Sequence, residues 1–278
     1  AGSARNILAT ASALSQWADV TVAFRNTAEA FDSQEFKVVE IEPASAMESA
    51  RDDVAARGLN PLSHLAYARS LRMFAATLVG RFDLVLEKGW RMSGYLCREL
   101  TARGVPSMLI ENDVRVWTEK VDTPRGVVKY LAHVAAQQVA RSASRATPLV
   151  IAETKELKRA LISCRGLGEE RVQVVPLGVD HTRFRPIDQS SARQSLSIDQ
   201  SATVMLYVGG MDQYHDLSPL LTALQTHPCE NLEVHLVGDG NYRSRYEQLS
   251  SDLKVPVRFH RQVKHEDIPR FIAAADVC

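Results

Sequence analysis

The sequence predicts an α/β protein made of two doubly wound domains, and three observations carry that reading. Short apolar runs alternate with amphipathic stretches from Asp19–Phe24 through to Val257–His260, as expected of parallel strands covered on both faces. The alternation stops at the polar, proline-containing stretch Arg185-Pro186-Ile187-Asp188-Gln189-Ser190-Ser191 and restarts at Thr203. In the second half, two of the apolar runs end in glycine turns, Tyr207-Val208-Gly209-Gly210 and Val237-Gly238-Asp239-Gly240.

In chain order, a helix across Arg5–Trp17 leads into a strand at Asp19–Phe24, and a second strand at Phe36–Ile41 is broken by Pro43. A helix follows at about Ser63–Val79, with Leu65, Ala68, Leu71 and Ala75 on one face. Strands at Asp83–Leu86, Ser107–Ile110, Pro148–Ala152 and Val172–Val175 then alternate with helices at Ser93–Ala102, Val127–Ser142 and Thr154–Ser163. The second half repeats the pattern, with strands Thr203–Val208, Leu232–Val237 and Val257–His260 and helices Ser218–Gln225, Tyr242–Leu253 and Ile268–Ala274. The expected organisation is a first domain at 1–185, a linker at 186–200 and a second domain at 201–278. A domain of this type usually opens with a strand, whereas this chain starts on a Gly-Ser turn, and Asp276-Val277-Cys278 begins a strand and stops. The expectation is a piece of a longer polypeptide, with the first strand missing and the second domain incomplete.

Composition excludes several function classes. Across 278 residues, 33 Lys+Arg balance 33 Asp+Glu. There is therefore no general excess of cations to replace phosphate counterions, and nucleic acid is not an expected partner. No apolar run reaches the roughly 18 residues of a membrane span. The four cysteines, Cys97, Cys164, Cys229 and Cys278, form no Cys-x-x-Cys pair, which points to a reducing cytoplasm rather than a disulfide framework. The eight histidines lack metal-site spacing, so no metal is expected. Trp17, Trp90 and Trp117 read as packing residues. The charge is split: up to Arg185 there are 25 Lys+Arg against 21 Asp+Glu, and after it 8 against 12. That asymmetry suits a first half facing an anionic surface or acceptor.

Glycines between a strand and a helix let backbone N–H groups approach a phosphate. Val237-Gly238-Asp239-Gly240 meets only Gly-x-Gly of the dinucleotide fingerprint, because Arg243 stands at the third glycine position. A tight strand-to-helix turn explains it equally well, and the same holds for Gly209-Gly210. Ala1-Gly2-Ser3-Ala4 reads either as the tail of a third such loop or as the point where the sequence starts. The absence of a Gly-x-Ser-x-Gly elbow and of a Gly-x-x-x-x-Gly-Lys loop removes esterase and nucleotide-hydrolase readings.

The motifs in order resemble a known family. Val175-Pro176-Leu177-Gly178-Val179-Asp180 followed by Phe184-Arg185-Pro186 is similar to the end of the first domain of family 4 retaining glycosyltransferases. Leu206–Leu224, Leu232–Gly240, Val257–Val263 and Ile268–Val277 resemble that family's second domain, and Asp83–Lys88, Ala102–Asn112 and Ala146–Leu161 resemble its first. The resemblance implies the GT-B fold, two facing Rossmann-like domains, and a hexosyltransferase-type reaction with retention of configuration. It implies a nucleotide-diphosphate sugar donor and a glycan, lipid-linked or small-molecule acceptor, in polysaccharide or glycoconjugate synthesis. No cofactor or obligatory metal is implied. The expected location is cytoplasmic, with room for peripheral contact at the inner face of a membrane.

The resemblance also assigns roles. Gly209, Gly210 and His215 fall where the donor diphosphate is held. Gly238, Asp239, Gly240, Arg261, Gln262 and Val263 fall at the nucleotide site, and Gly2, Ser3, Glu111 and Asn112 on the acceptor side, with Lys88 a weaker candidate. The chain departs from the pattern in four places. Gly210 holds the position of a frequent Arg, His215 that of a Lys, Leu177 that of an Asn, and Arg261 that of a Gly. Glycine offers only its N–H where arginine offers a bidentate, permanently charged fork. The family's paired glutamates would lie beyond Cys278, so no catalytic residue is assigned and the chain by itself is expected to be inactive. Two rival readings share the fold: a non-hydrolysing sugar-nucleotide epimerase, and a nucleotide-sugar-binding homologue with impaired catalysis.

Overall fold

The computed structural model describes residues 2–24, 35–40, 61–89, 93–114, 121–212, 215–261 and 263–278. The chain forms two compact units, Ala1–Gly178 and Val179–Cys278.

In the first unit, α1 (Gly2–Ser15) precedes a parallel pair, β1 (Thr21–Phe24) and β2 (Lys37–Glu40), in the register Thr21↔Lys37. Helix α2 (Pro61–Leu78) follows. A four-stranded parallel sheet then runs in sequential order: β3 (Val85–Lys88), β4 (Ser107–Glu111), β5 (Leu149–Ala152) and β6 (Val172–Val174). Helices α3 (Tyr95–Thr101), α4 (Pro124–Ala146) and α5 (Lys155–Arg165) connect these strands. The sequence explains where α4 and α5 begin. Thr123 accepts a hydrogen bond from Gly126 N at 3.0 Å with Pro124 in the first turn, and Thr154 accepts from Leu157 N at 3.0 Å. Cys97, Leu109, Val150, Ala152, Leu161, Leu167 and Val172 form the core on one face of the sheet. A second core under α2 joins Leu71, Ala75, Leu78, Leu96, Leu100 and Val105.

In the second unit, β7 (Thr203–Val208), β8 (Leu232–Val237) and β9 (Val257–His260) form a parallel sheet in sequential order. Helices α7 (Ser218–Thr226), α8 (Arg243–Asp252) and α9 (Ile268–Ala274) cover it. After α9 the chain returns to the free edge of β7, where Val277 bridges Met205 in parallel. The winding thus reverses at β7, between β8 on one flank and Val277 on the other. In open α/β sheets, ligands bind in the crevice beyond the strand C-terminus at such a reversal. Asp276 fixes the return. It accepts from Val204 N and from Arg193 Nη2, both at 2.7 Å.

The stretch expected as a linker, 186–200, carries helix α6 (Gln189–Leu196), capped by Asp188 through Ser191 N at 2.8 Å. Its polar sequence hides an inner face: Ala192 packs with Ile198, Ala202, Val204 and Ala274, and Arg193 lies buried with Nε donating to Ala274 O at 3.0 Å. Gly2 and Ser3 form no loop and lie in the first turn of α1. Trp17 is 86% exposed, so it is not a packing residue; Trp90 and Trp117 lie outside the described residues.

Candidate functional site

The two glycine turns of the second unit meet at the C-terminal ends of β7 and β8. Gly209 N donates to Val237 O at 3.0 Å, Met211 N to Asp239 O at 3.0 Å, and Tyr242 N to Met211 O at 2.9 Å. Gly238 has φ +147° and packs so closely that a Cβ there would overlap the Gly209 carbonyl oxygen. Gly240 stands in the same relation to Met211 O. Both positions therefore need glycine for backbone-on-backbone contact, which is what the tight-turn reading required.

The turns nevertheless leave donors toward solvent. Gly210 is exposed, and among the described residues its N–H donates to no backbone carbonyl, while its own carbonyl accepts from Tyr207 Oη at 2.7 Å. Asp239 and Gly240 are also exposed, with Asp239 Oδ1 accepting from Gly240 N at 2.8 Å. Helix α8 starts at this edge with no side-chain cap; Tyr242 N and Arg243 N already donate to Met211 O and Gly240 O, which leaves the N–H groups of Ser244 and Arg245 in its first turn for an anion. Arg243, at the position of the missing third glycine, donates from Nη1 to Gly238 O at 2.8 Å and to His260 O at 2.7 Å. It thereby ties β8 to β9 beneath the turn, and its Nε pairs with Glu247 at 2.7 Å.

His215 lies beside Gly210 and is held by Asp212, with Nδ1 to Oδ1 at 3.0 Å. When Nδ1–H is donated to Asp212, a neutral ring presents a lone pair at Nε2, and only the doubly protonated ring donates from both nitrogens. Arg261 is exposed, whereas Val263 packs against Leu206, Val237 and Phe271, leaving only its backbone for a ligand. Gln262 lies outside the described residues. Inside the sheet, His235 Nδ1 and His260 Nε2 are 3.0 Å apart, and burial moves both imidazoles below their ordinary pKa.

The first unit closes its strand ends differently. Glu111 was expected on the acceptor side, yet only 2% of it is exposed, and Oε1 accepts from Ser93 Oγ at 2.7 Å and from Arg165 Nη1. Its carboxylate sits in the protein interior and is not presented to a ligand. Arg165 Nη1 also donates to Ser144 Oγ at 2.7 Å. Glu87, on the same sheet face, accepts from Gly94 N at 2.9 Å and Cys97 N at 2.7 Å. Burial pushes its pKa up to about 7, with the neighbouring Glu111 charge acting in the same direction. Burial also raises Glu111, opposed by Arg165. Lys88 pairs with Glu153 at 3.1 Å, and Asn112 and Asp113 are exposed beyond β4. Glu87, Ser93, Ser144, Arg165, Tyr207 and Arg243 were not among the expected site residues. A glutamate inside each of two apolar strands was the available signal for the buried cluster. All four cysteines are free. Among the described residues, no group of three or more His, Cys, Asp or Glu is placed to hold a metal ion, and no helix is long and apolar enough to cross a membrane.

Comparison with known proteins extends this picture. The model of Glycosyltransferase Family 4 matches residues 1–183, and that of Glycosyl transferases group 1 matches residues 188–278. D-inositol 3-phosphate glycosyltransferase of Geodermatophilus obscurus is 32% identical over 154 residues, covering 51% of this chain and 33% of that protein. Its namesake from Nocardioides sp. is 29% identical over 233 residues, covering 74% and 48%. The chain thus spans a third to about half the length of these curated relatives. Among solved structures, sucrose-phosphate synthase of Thermosynechococcus elongatus aligns with TM-score 0.68 at 17% identity, covering 96% of this chain and 66% of that one. Anabaena HepE in complex with UDP and glucose aligns with TM-score 0.67 at 18% identity, covering 99% and 69%. At such identities, the structural likeness speaks for the fold alone.

Proposed function

Because the chain belongs to glycosyltransferase family 4 and has the GT-B fold, we propose that it serves an enzyme moving a sugar from a nucleotide-diphosphate sugar to a glycan, lipid-linked or small-molecule acceptor. The observation that carries this reading is the pair of interlocked glycine turns at the reversal of winding, with the Gly210 N–H and the uncapped start of α8 facing solvent. Negative charge develops on the leaving diphosphate, so fixed N–H donors at that place lower the barrier. Arg243 and Tyr207 hold the two turns in place, and the exposed Arg261 and Asp239 flank them toward the nucleoside. Transfer with retention in a cytoplasmic setting is part of the same proposal, as is an acceptor site at the first unit's strand ends, where Asn112 and Asp113 are exposed and Lys88 is paired with Glu153. UDP bound to a protein of the same fold supports the donor class.

The test is calorimetric titration of the chain with UDP-, GDP- and ADP-sugars. Saturable binding of one base series is expected, and binding of none overturns the reading. One observation favours a second reading, a donor-binding homologue with weakened catalysis: His215 is paired to Asp212 where the family pattern has a free lysine. Gly210→Arg with His215→Lys discriminates, since a large gain in turnover identifies an impaired transferase and a gain in affinity alone identifies a binder.

A further inference from the structure

The sheet of the second unit contains a pair of imidazoles that holding a diphosphate does not require. Residues 233, 235 and 237 share one face of β8, and 258 and 260 share one face of β9. His235 is 1% exposed, in a strand that otherwise reads as apolar core. Its ring lies within 16° of parallel to that of His260, with centroids 5.1 Å apart. That separation is close to the largest that a 3.0 Å contact between Nδ1 and Nε2 allows, so each nitrogen points at the other in the ring plane. On the far side of His235, Nε2 lies 3.3 Å from Glu233 Oε2, which Arg258 Nη2 also holds at 3.1 Å. Phe271 of α9 meets the His260 ring edge-on at 5.0 Å.

This chain of contacts sets the protons. A carboxylate only accepts, so His235 carries its hydrogen on Nε2 and offers a lone pair at Nδ1, and His260 donates to it from Nε2. One added proton is accommodated: His235 then donates from both nitrogens, to Glu233 and to His260, which keeps its own hydrogen on Nδ1. A further proton is not, because N–H would face N–H between two cations. Among the described residues, the charged groups facing the pair are Glu233 of β8, Arg258 of β9 and Arg243 of α8. Helices α6 and α9 and strand β7 bring Leu196, Phe271 and Leu206 to that face. Burial, reinforced by the two arginines, disfavours charge on both rings, so neutral pH leaves the pair uncharged.

The main chain of His260 connects the pair to the glycine turns. His260 O accepts from Arg243 Nη1 at 2.7 Å and from Gly238 N at 3.3 Å, and the next residue is the exposed Arg261. We propose that His235 and His260 are positioning residues for the donor: the hydrogen bond between their rings locks the end of β9 against the glycine turn, and charging both rings releases it, so that the site loses donor in acid. The proposal rests on the reading of the glycine turns as the donor site.

The experiment is calorimetric titration with UDP-glucose from pH 8 to pH 4.5. Its diphosphate diester keeps one charge over that range, whereas a terminal phosphate, as in UDP, titrates near pH 6. Affinity should fall at least roughly fivefold toward acid. His260→Gln puts an amide donor at the place of Nε2 that takes up no proton, so it should match the wild type at pH 8 and lose the pH dependence. His260→Leu should bind more weakly at every pH, with the same flat profile. Without donor, nitrogen-15 histidine spectra should show the two rings charging in separate steps, and the amides of Gly238 and Arg261 should move with the second. Rings that charge together, amides that stay in place at the second step, or a pH profile that His260→Gln leaves as steep as the wild type overturn the proposal while the donor reading stands. UDP-glucose that binds at no pH overturns the donor reading, and the positioning role falls with it.

Discussion

The two units finish their strand C-termini in opposite ways. In Ala1–Gly178 the ends of β3 and β4 are closed by side chains: Glu87 on backbone amides, Glu111 on Arg165, and Lys88 on Glu153. In Val179–Cys278 the ends of β7 and β8 are closed by backbone, with glycines seated against each other and Gly210 exposed beside them. Two buried carboxylates make a poor seat for a diphosphate, because they already occupy the N–H donors of Gly94, Cys97 and Arg165 that an anion would need. A glycine turn with free N–H groups at a helix start makes a good one. Strand ends of the same topological kind thus take different partners according to whether side chain or backbone terminates them.

The largest expected effect breaks the backbone side of this comparison. Gly238→Ala places a methyl group on Gly209 O at a φ that L residues rarely adopt, and should cost upwards of about 4 kcal/mol, read as loss of the second unit's urea transition. Gly210→Ala is the control. Its Cβ would stand 3.3 Å from the side-chain oxygen Asp212 Oδ2, and stability should stay within about 0.5 kcal/mol of wild type.

The side-chain half breaks at Arg165. Arg165→Met leaves Glu111 buried without its cation, and should cost about 3–5 kcal/mol by chemical denaturation. Adding Glu111→Leu should restore most of that loss, since an apolar pair of similar volume replaces a buried ion pair without the desolvation penalty.

Glu87 sharpens the comparison through pH. Its native pKa of about 7 lies above the ordinary glutamate value of about 4.5, so the folded state binds the proton more tightly. The associated stability is present in full below about 4.5 and is lost as pH rises toward and past 7. The loss is about 3 kcal/mol at most, and Glu111 contributes with the same sign. Denaturant midpoints of the first unit from pH 4.5 to 8 should fall for wild type and fall less steeply in Glu87→Gln, the slope rather than the absolute stability being the readout. The smallest effect tests the site: His215→Lys places an ammonium beside Gly210 and should raise donor affinity about three- to tenfold by calorimetry.

Strands β7, β8 and β9 and helix α9 have the same limits in the sequence reading as in the structure, because continuous apolar runs define them and a glycine ends β7 and β8 while a proline precedes β9 and opens α9. Helix α6 was hidden by its composition, since Ala192 and the stem of Arg193 are a thin apolar signal in a run of Ser and Gln. The mutual seating of Gly209 and Gly238 was not legible either, as it arises only when a parallel crossover brings two strand ends together. Nor was the pairing of Glu111 with Arg165, 54 residues apart, because an arginine at the end of an amphipathic helix reads as a surface cation until the fold turns it inward. Local pattern specifies elements, and the polar interior is written in contacts between them.

The most direct test of the central claim is the amide spectrum of the chain labelled with nitrogen-15 glycine, recorded as UDP is added. The account predicts that the Gly210 and Gly240 resonances shift together with saturation, that uridine without phosphates fails to move Gly210, and that Gly104 and Gly166 stay in place. A saturating UDP complex in which the Gly210 resonance does not move would contradict it.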